Sequence, residues 1–338
     1  MKNMIRTAFL SAAVASLPYA AAAALPVAAA PAPAPAAPAA AAPASGIAFK
    51  APAQYPEGIA FNPKTNEFLV SSMRLGVVGA VKADGSFREF AKDPLLVSVV
   101  GMHADPPRNR LLVCVSDPGV SLKTSPKTQK KIARLVAFDL TSGKKLHVVE
   151  LDKLAEGQHF CNDLDIDEKG DIYITDSFTP VIYRVDPKYK ASVFLKSDTF
   201  KGEGFNLNGI VHHAGDYLLV AKYNDGTIWK IDEKDPKKME QVAIAEKLPN
   251  ADGMVLTGDG ELVVVQNGDV NRVVRLKSTD GFKTAKVDKV IQTSKDFPTT
   301  VVAGAGGKLY VMMSRLGELF ADPSKAKSES FTMMELKF

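Results

Sequence analysis

Four residues in this chain offer side-chain oxygens at a repeating spacing: Glu57, Asn162, Asn208 and Asp252. Each opens a short phrase. The phrases are Glu57-Gly58-Ile59-Ala60, Asn162-Asp163-Leu164-Asp165, Asn208-Gly209-Ile210-Val211 and Asp252-Gly253-Met254-Val255. Two further copies, Val100-Gly101-Met102-His103 and Thr299-Thr300-Val301-Val302, complete the series. The copies recur about every 45 residues with one longer gap, the mark of a propeller or solenoid. Two carboxylates and two amides brought to one axis would repel unless a cation lay between them. Oxygen ligands and two formal negative charges suit a hard dication, calcium first, with magnesium or manganese as alternatives.

A lone Asn-Gly or Asp-Gly is ordinarily a hairpin turn. The set reads differently, because each copy precedes an apolar strand and hairpin signals such as Asp84-Gly85, Asp225-Gly226 and Asp259-Gly260 occur elsewhere in the same units.

The elements that would position these residues are short strands between turns. Ile59-Ala-Phe61, Glu67 to Ser72, Val77 to Lys82 and Phe87 to Phe90 make one unit of four. Asn162 to Asp167, Asp171 to Asp176, Val181 to Asp186 and Ala191 to Lys196 make the clearest one. The longer gap is filled by a polar insertion, Ser121 to Lys131, expected as an exposed loop. No long helical periodicity interrupts the pattern. The expectation is an all-β fold, a six-bladed β-propeller whose inner strands bring the phrase-opening residues to a metal site in the central channel. The glycine after several ring residues permits close backbone approach.

The chain has 338 residues, and its start is compositionally separate. Lys2 and Arg6 precede an apolar run from Ala8 to Leu17 and the small residues Ala20-Ala21-Ala22. Residues 1–24 are expected to be a secretory signal peptide, residues 25–46 an Ala/Pro-rich linker, and residues 47–338 the propeller. A secreted or periplasmic protein follows. The absence of Asp and Glu before Glu57 also suits an organelle presequence. The net charge of +4 is small and its lysines are scattered, so neither nucleic acid nor a membrane is expected as partner. A monomer acting on a small molecule is expected. Two cysteines, Cys114 and Cys161, are too few for a disulfide framework; they are open to pairing or to burial as free thiols.

Several other residues invite a chemical reading. His103 and His159 lie near ring positions in the sequence and are candidate substrate contacts or acid/base groups, with a structural role as the plainer reading. Asp163, Asp165 and Asp167 alternate before Gly170, as in a calcium loop. An EF-hand, however, needs glycine where Glu168 stands and glutamate where Ile174 stands, which favours strand alternation plus a turn. No serine sits in a nucleophile-elbow context.

At Pro56-Glu-Gly-Ile59, Asn162-Asp163 with Asp165, Leu207-Asn-Gly-Ile210 and Ala251-Asp-Gly-Met254 the chain resembles the senescence-marker-protein/gluconolactonase family of six-bladed propellers. Paraoxonases and strictosidine-synthase-like proteins are its relatives. The likeness spans Tyr55 to Phe338. The run from Asn208 through Gly215-Asp-Tyr-Leu-Leu219, with Phe297-Pro-Thr-Thr-Val-Val302, looks most like a branch labelled calcium-dependent phosphotriesterase.

The resemblance implies a divalent metal held at Glu57, Asn208 and Asp252, with Asn162 beside the metal or the substrate. It implies Asp252 as general base. Asp163, just behind, is a second candidate proton acceptor. The chain departs from the family at two places. Sugar-acid lactonases carry a substrate-gripping arginine where Phe160 stands, and paraoxonases a catalytic histidine where Val100 stands. Phe160 therefore points to a less polar substrate. The expected function is metal-dependent hydrolysis of a lactone or related ester, and the alternative is a metal-stabilised propeller that binds without turnover.

Overall fold

The computed structural model describes residues 45–338. The expected leader and all but the end of the linker lie outside them. The described residues form an all-β, six-bladed propeller.

Each blade is a four-stranded antiparallel sheet that runs outward from the axis, and the short strand Ala243–Ile244 adds a fifth, parallel strand to the edge of blade five. The inner strands are Ile59–Asn62, Ser98–Asp105, Cys161–Ile166, Leu207–His213, Ala251–Leu256 and Pro298–Ala303. Each packs against the inner strands of the neighbouring blades, the sixth against the first, so the circle closes. The second strands are covered on both sides. Arg110–Ser116, Tyr217–Lys222 and Leu262–Gln266 are buried along their whole length, which is why they read as unbroken apolar runs rather than alternating ones. Outer strands such as Phe87–Lys92 and Ala191–Lys196 expose most of their residues. Apolar layers fill the wedges between blades: Leu69, Val78, Val113 and Phe138 between blades one and two, for example, and Val211, Leu219, Val264 and Val274 between four and five.

Blade six departs from the expectation. Its outermost strand is Gly46–Lys50, from the other end of the domain, paired antiparallel with Ser330–Leu336. The strand thus begins at Gly46, which the sequence assigned to the linker. The segment reads Gly-Ile-Ala-Phe-Lys, too short to announce itself beside an Ala/Pro tract. Blade six also carries a short helix, Leu316–Ala321, inserted after its second strand. Six residues show no helical period. The backbone enters it through Arg315 in the left-handed region, φ 57°.

The inner strands share one irregularity. Pairing with the second strand breaks at residues 100–101, 162–163, 208–209, 252–253 and 299–300. Each break falls on the opening pair of a sequence phrase. A bulge of this kind frees two residues from the ladder and re-aims a side chain. In blade one the same pair, Glu57-Gly58, precedes the inner strand and donates both backbone N–H groups to Ser71 Oγ at 2.9 and 2.8 Å. The glycines are there for space. A Cβ on Gly58 would lie 2.4 Å from Val100 O, and one on Gly209 2.3 Å from Asp252 O, so each glycine lets its blade approach the next. Blades three and six place Asp163 and Thr300 at that position.

Candidate functional site

Because the bulges coincide, the phrase-opening side chains arrive at one level of the channel. Glu57, Asn162, Asn208, Asp252 and Thr299 line a single cavity of about 50 Å³. All five are buried. Val100 is buried too but does not line it. No lysine or arginine is among the lining residues.

The electrostatics follow from that isolation. Burial first, then the charges of Asp252 and Asp163, push the Glu57 carboxyl well above its usual range. Burial and Asp163 do the same to Asp252, against a hydrogen bond from the Asn208 amide. Asp163 rises to about 7, chiefly through burial, with a bond from Leu164 N opposing and the neighbouring Asp165 adding to the rise. These three carboxylates act on one another through the channel, and His103 beside Asp163 opposes the rise.

Two buried oxygens of the ring, Glu57 Oε2 and Asn162 Oδ1, have no hydrogen-bond partner. Unpaired buried acceptors are costly, and here they sit beside crowded negative charge. Among the described residues no three His, Cys, Asp or Glu side chains converge at ligand spacing. The set at the ring is two carboxylates and two amides, which fits a hard, oxygen-loving dication and not a zinc-type centre.

A second circle of residues orients the first, and the sequence reading missed it. Asn162 Nδ2 donates to Ser177 Oγ at 2.8 Å, which leaves Oδ1 as its unpartnered atom. Asn267 Nδ2 donates to Asp252 Oδ2 at 2.5 Å. Tyr223 OH in turn donates to Asn267 Oδ1 at 2.7 Å. The signal was present. Ser177 and Asn267 each stand 15 residues after the ring residue they hold. Tyr223 stands at the same interval from Asn208, so these positions repeat with the ring itself. The blades are also tied through their carbonyls. Thr175 Oγ1 donates to Asn208 O at 2.7 Å, and Thr299 Oγ1 to Glu57 O at 2.7 Å.

The outer side of the cavity is aromatic. Phe160, expected at the mouth, lines it and meets Phe205 edge-on at 5.1 Å between centroids. Phe297 and Phe320 complete the roof. Phe297 entered the sequence reading only as the start of the Phe297-Pro-Thr-Thr-Val-Val302 run, and Phe205 and Phe320 did not enter it, because phenylalanines in loops carry no periodic signal.

The two candidate histidines are placed elsewhere, which corrects their grouping with Asn162 and Phe160. His103 lies at the opposite end of the channel, in a cavity of about 350 Å³ that Asp163, Asp165 and His212 also line. Its Nδ1 is 3.0 Å from Asp165 Oδ1, and Asp165 Oδ2 accepts from His212 N. Asp163 thus sits between the two ends, lining the far cavity while acting on Glu57 and Asp252. His159 lines neither end. Its Nδ1 is 2.8 Å from Asp176 Oδ2, buried beside Tyr183 and facing a surface cavity by Asp152 and Glu156. Asp167 closes a turn by accepting from Gly170 N and Asp171 N. Cys114 and Cys161 are buried free thiols.

No protein-family model matches the sequence, and a search of curated proteins finds no match. Solved structures do match. The major Malassezia sympodialis allergen Mala s 1 is 16% identical with a TM-score of 0.68, over 86% of this chain and 96% of that one. A luciferin-regenerating enzyme is 12% identical with a TM-score of 0.60, over 87% and 98%. Virginiamycin B lyase from Staphylococcus aureus is 14% identical with a TM-score of 0.58, over 79% and 81%. Likenesses at these identities establish one thing, the β-propeller fold, and the six blades are read from this chain's own sheets.

Proposed function

We propose that the protein is a divalent-cation-dependent hydrolase of lactones or related esters, with Glu57, Asn162, Asn208 and Asp252 holding the cation. The observation that carries this reading is the pair of orphaned oxygens, Glu57 Oε2 and Asn162 Oδ1, in a channel with three carboxylates and no lysine or arginine at the ring. Calcium is the first choice of ion, and when bound it would supply a Lewis acid for a carbonyl oxygen.

The chain's own residues do the rest. Asn267 fixes the Asp252 carboxylate through Oδ2, and Asp252 is the acceptor we assign for a proton from water. Asp163, whose charge acts on Asp252, is the second proton acceptor of this reading. Ser177 turns Asn162 so that its oxygen, not its nitrogen, faces the site. The phenylalanines over the ring line its outer side with apolar surface, which strengthens the polar contacts beneath them. Similar propellers named for enzymatic reactions support an enzyme in general.

The small size of the cavity favours one other reading, a propeller that binds its ligand or partner without turning it over. Hydrolysis separates the two. Lactones, aryl esters and a phosphotriester would be assayed after chelation and again after calcium is restored, with Asp252→Asn as control. Activity that returns with calcium and is lost in the variant supports the hydrolase. No turnover on any substrate, with calcium still raising the melting temperature, supports the binding protein.

A further inference from the structure

The space above the ring is water-sized, and side chains from two separate segments roof it. Phe205 rides on the loop Lys201–Asn206, and Phe320 on the helix Leu316–Ala321. Their centroids are 6.3 Å apart. An ester or lactone has no room in about 50 Å³, which is enough for an ion and a few waters. An organic ligand that reaches the ring therefore needs more space than the side chains over it now leave.

The parts are unequally held. Phe160 is 2% exposed and locked between Phe178 and Phe205 at 5.3 and 5.1 Å. Phe205 is stacked further against Phe178 at 5.1 Å and Tyr223 at 6.3 Å. Phe320 is 38% exposed, stands on a helix of six residues, and meets only Phe205 among these rings. Its displacement is the least costly way in.

What remains after that displacement is a cup walled by Phe160, Phe205, Phe297 and Tyr223. The Tyr223 hydroxyl is already committed to Asn267. Above the ring such walls give the hydroxyls of a sugar-like ligand no free polar partner, which is penalised, and offer ring edges and faces to an aromatic one. We propose that Phe320 is a gate over the ring, that Phe160 and Phe205 are its specificity-determining residues, and that the substrate carries an aromatic ring on its ester or lactone. This deepens the hydrolase reading and rests on it for the ester group alone.

The test is equilibrium binding of two non-hydrolysable lactams, one benzyl-substituted and one polyhydroxylated (gluconolactam), to the chelated and the calcium-loaded protein. The benzyl lactam should bind about tenfold tighter or better. Phe205→Ala should reduce that preference to about twofold, and Phe320→Ala should speed association while keeping the preference. Circular dichroism would confirm that each variant is folded, and the half-exposed Phe320 position tolerates substitution even if Phe205 does not. Equal or tighter binding of gluconolactam overturns the proposal. So does a folded Phe205→Ala whose preference is unchanged. If calcium alters neither binding nor melting temperature but the aromatic preference stands, the metal-hydrolase reading fails and the cup survives. If calcium acts and the preference is missing, the reverse holds.

Discussion

The Asn162 amide donates to Ser177 Oγ at 2.8 Å, and Ser177 passes the contact on to Leu207 O in the next blade at 2.6 Å. One hydroxyl therefore sets the rotamer of a ring residue and ties two blades together. In Ser177→Ala, Asn162 loses the partner that keeps its oxygen toward the channel. Calcium affinity should weaken about tenfold, the usual effect of losing an orienting partner. Calcium titration followed by melting temperature would show it. Ser177→Thr, which keeps the hydroxyl, should retain most of the affinity.

The carboxylates predict a pH dependence for the cation-free protein. Burial raises Glu57, Asp252 and Asp163 above their ordinary values, so the folded chain holds protons that the unfolded chain has released. Their contribution to stability is fully present below the ordinary carboxylate range. It is lost as pH rises through the folded values, which for Asp163 is about 7. The chelated protein should therefore lose melting temperature between about pH 5 and about pH 8. The calcium-loaded protein should stay flatter, so the gap between the two widens upward. Asp163→Asn should flatten the chelated curve. A gap that narrows with rising pH would contradict the assignment of the ring as a cation site.

Gly209→Ala tests the packing of the circle. The new Cβ would meet the Asp252 carbonyl at 2.3 Å, a backbone atom that cannot swing aside. Overpacking of this kind costs about 1–3 kcal/mol, readable by denaturant unfolding. Because the strain falls on Asp252, calcium affinity should fall as well.

His159→Gln gives the contrasting result. The imidazole is buried against Asp176 and lines neither end of the channel. Loss of that bond leaves the Asp176 carboxylate short of a partner and should cost about 1–3 kcal/mol of stability. Calcium affinity and lactam selectivity should be those of the unaltered protein, measured in the same titrations.

The propeller and its ring were legible because both repeat. Bulges at a fixed place in five inner strands carry Asn162, Asn208 and Asp252 to the same level, and a repeat in sequence is therefore a ring in space. His103 and His159 show the limit of that reasoning. His103 is three residues past Val100 and His159 three before Asn162, close to the ring along the chain. A strand rises about 3.3 Å per residue, so those three steps carry His103 toward the far mouth. Phe205 and Phe320 lay beyond reach for a different reason. Their meeting depends on a loop and a helix that no period describes.

The pairing of Gly46–Lys50 with Ser330–Leu336 has a consequence for how the molecule is made. The ribosome delivers one of these strands first among the blades and the other last. Blades one to five can assemble as they emerge, but the circle cannot lock until synthesis of the domain is finished. Contacts this distant in sequence also form slowly. Until then the inner strand of blade six, with Thr299 against Glu57 O, has no completed blade behind it. A nascent chain stalled before Ser330 would carry five finished blades and half of the sixth, with Gly46–Lys50 unpaired and open to proteases and chaperones.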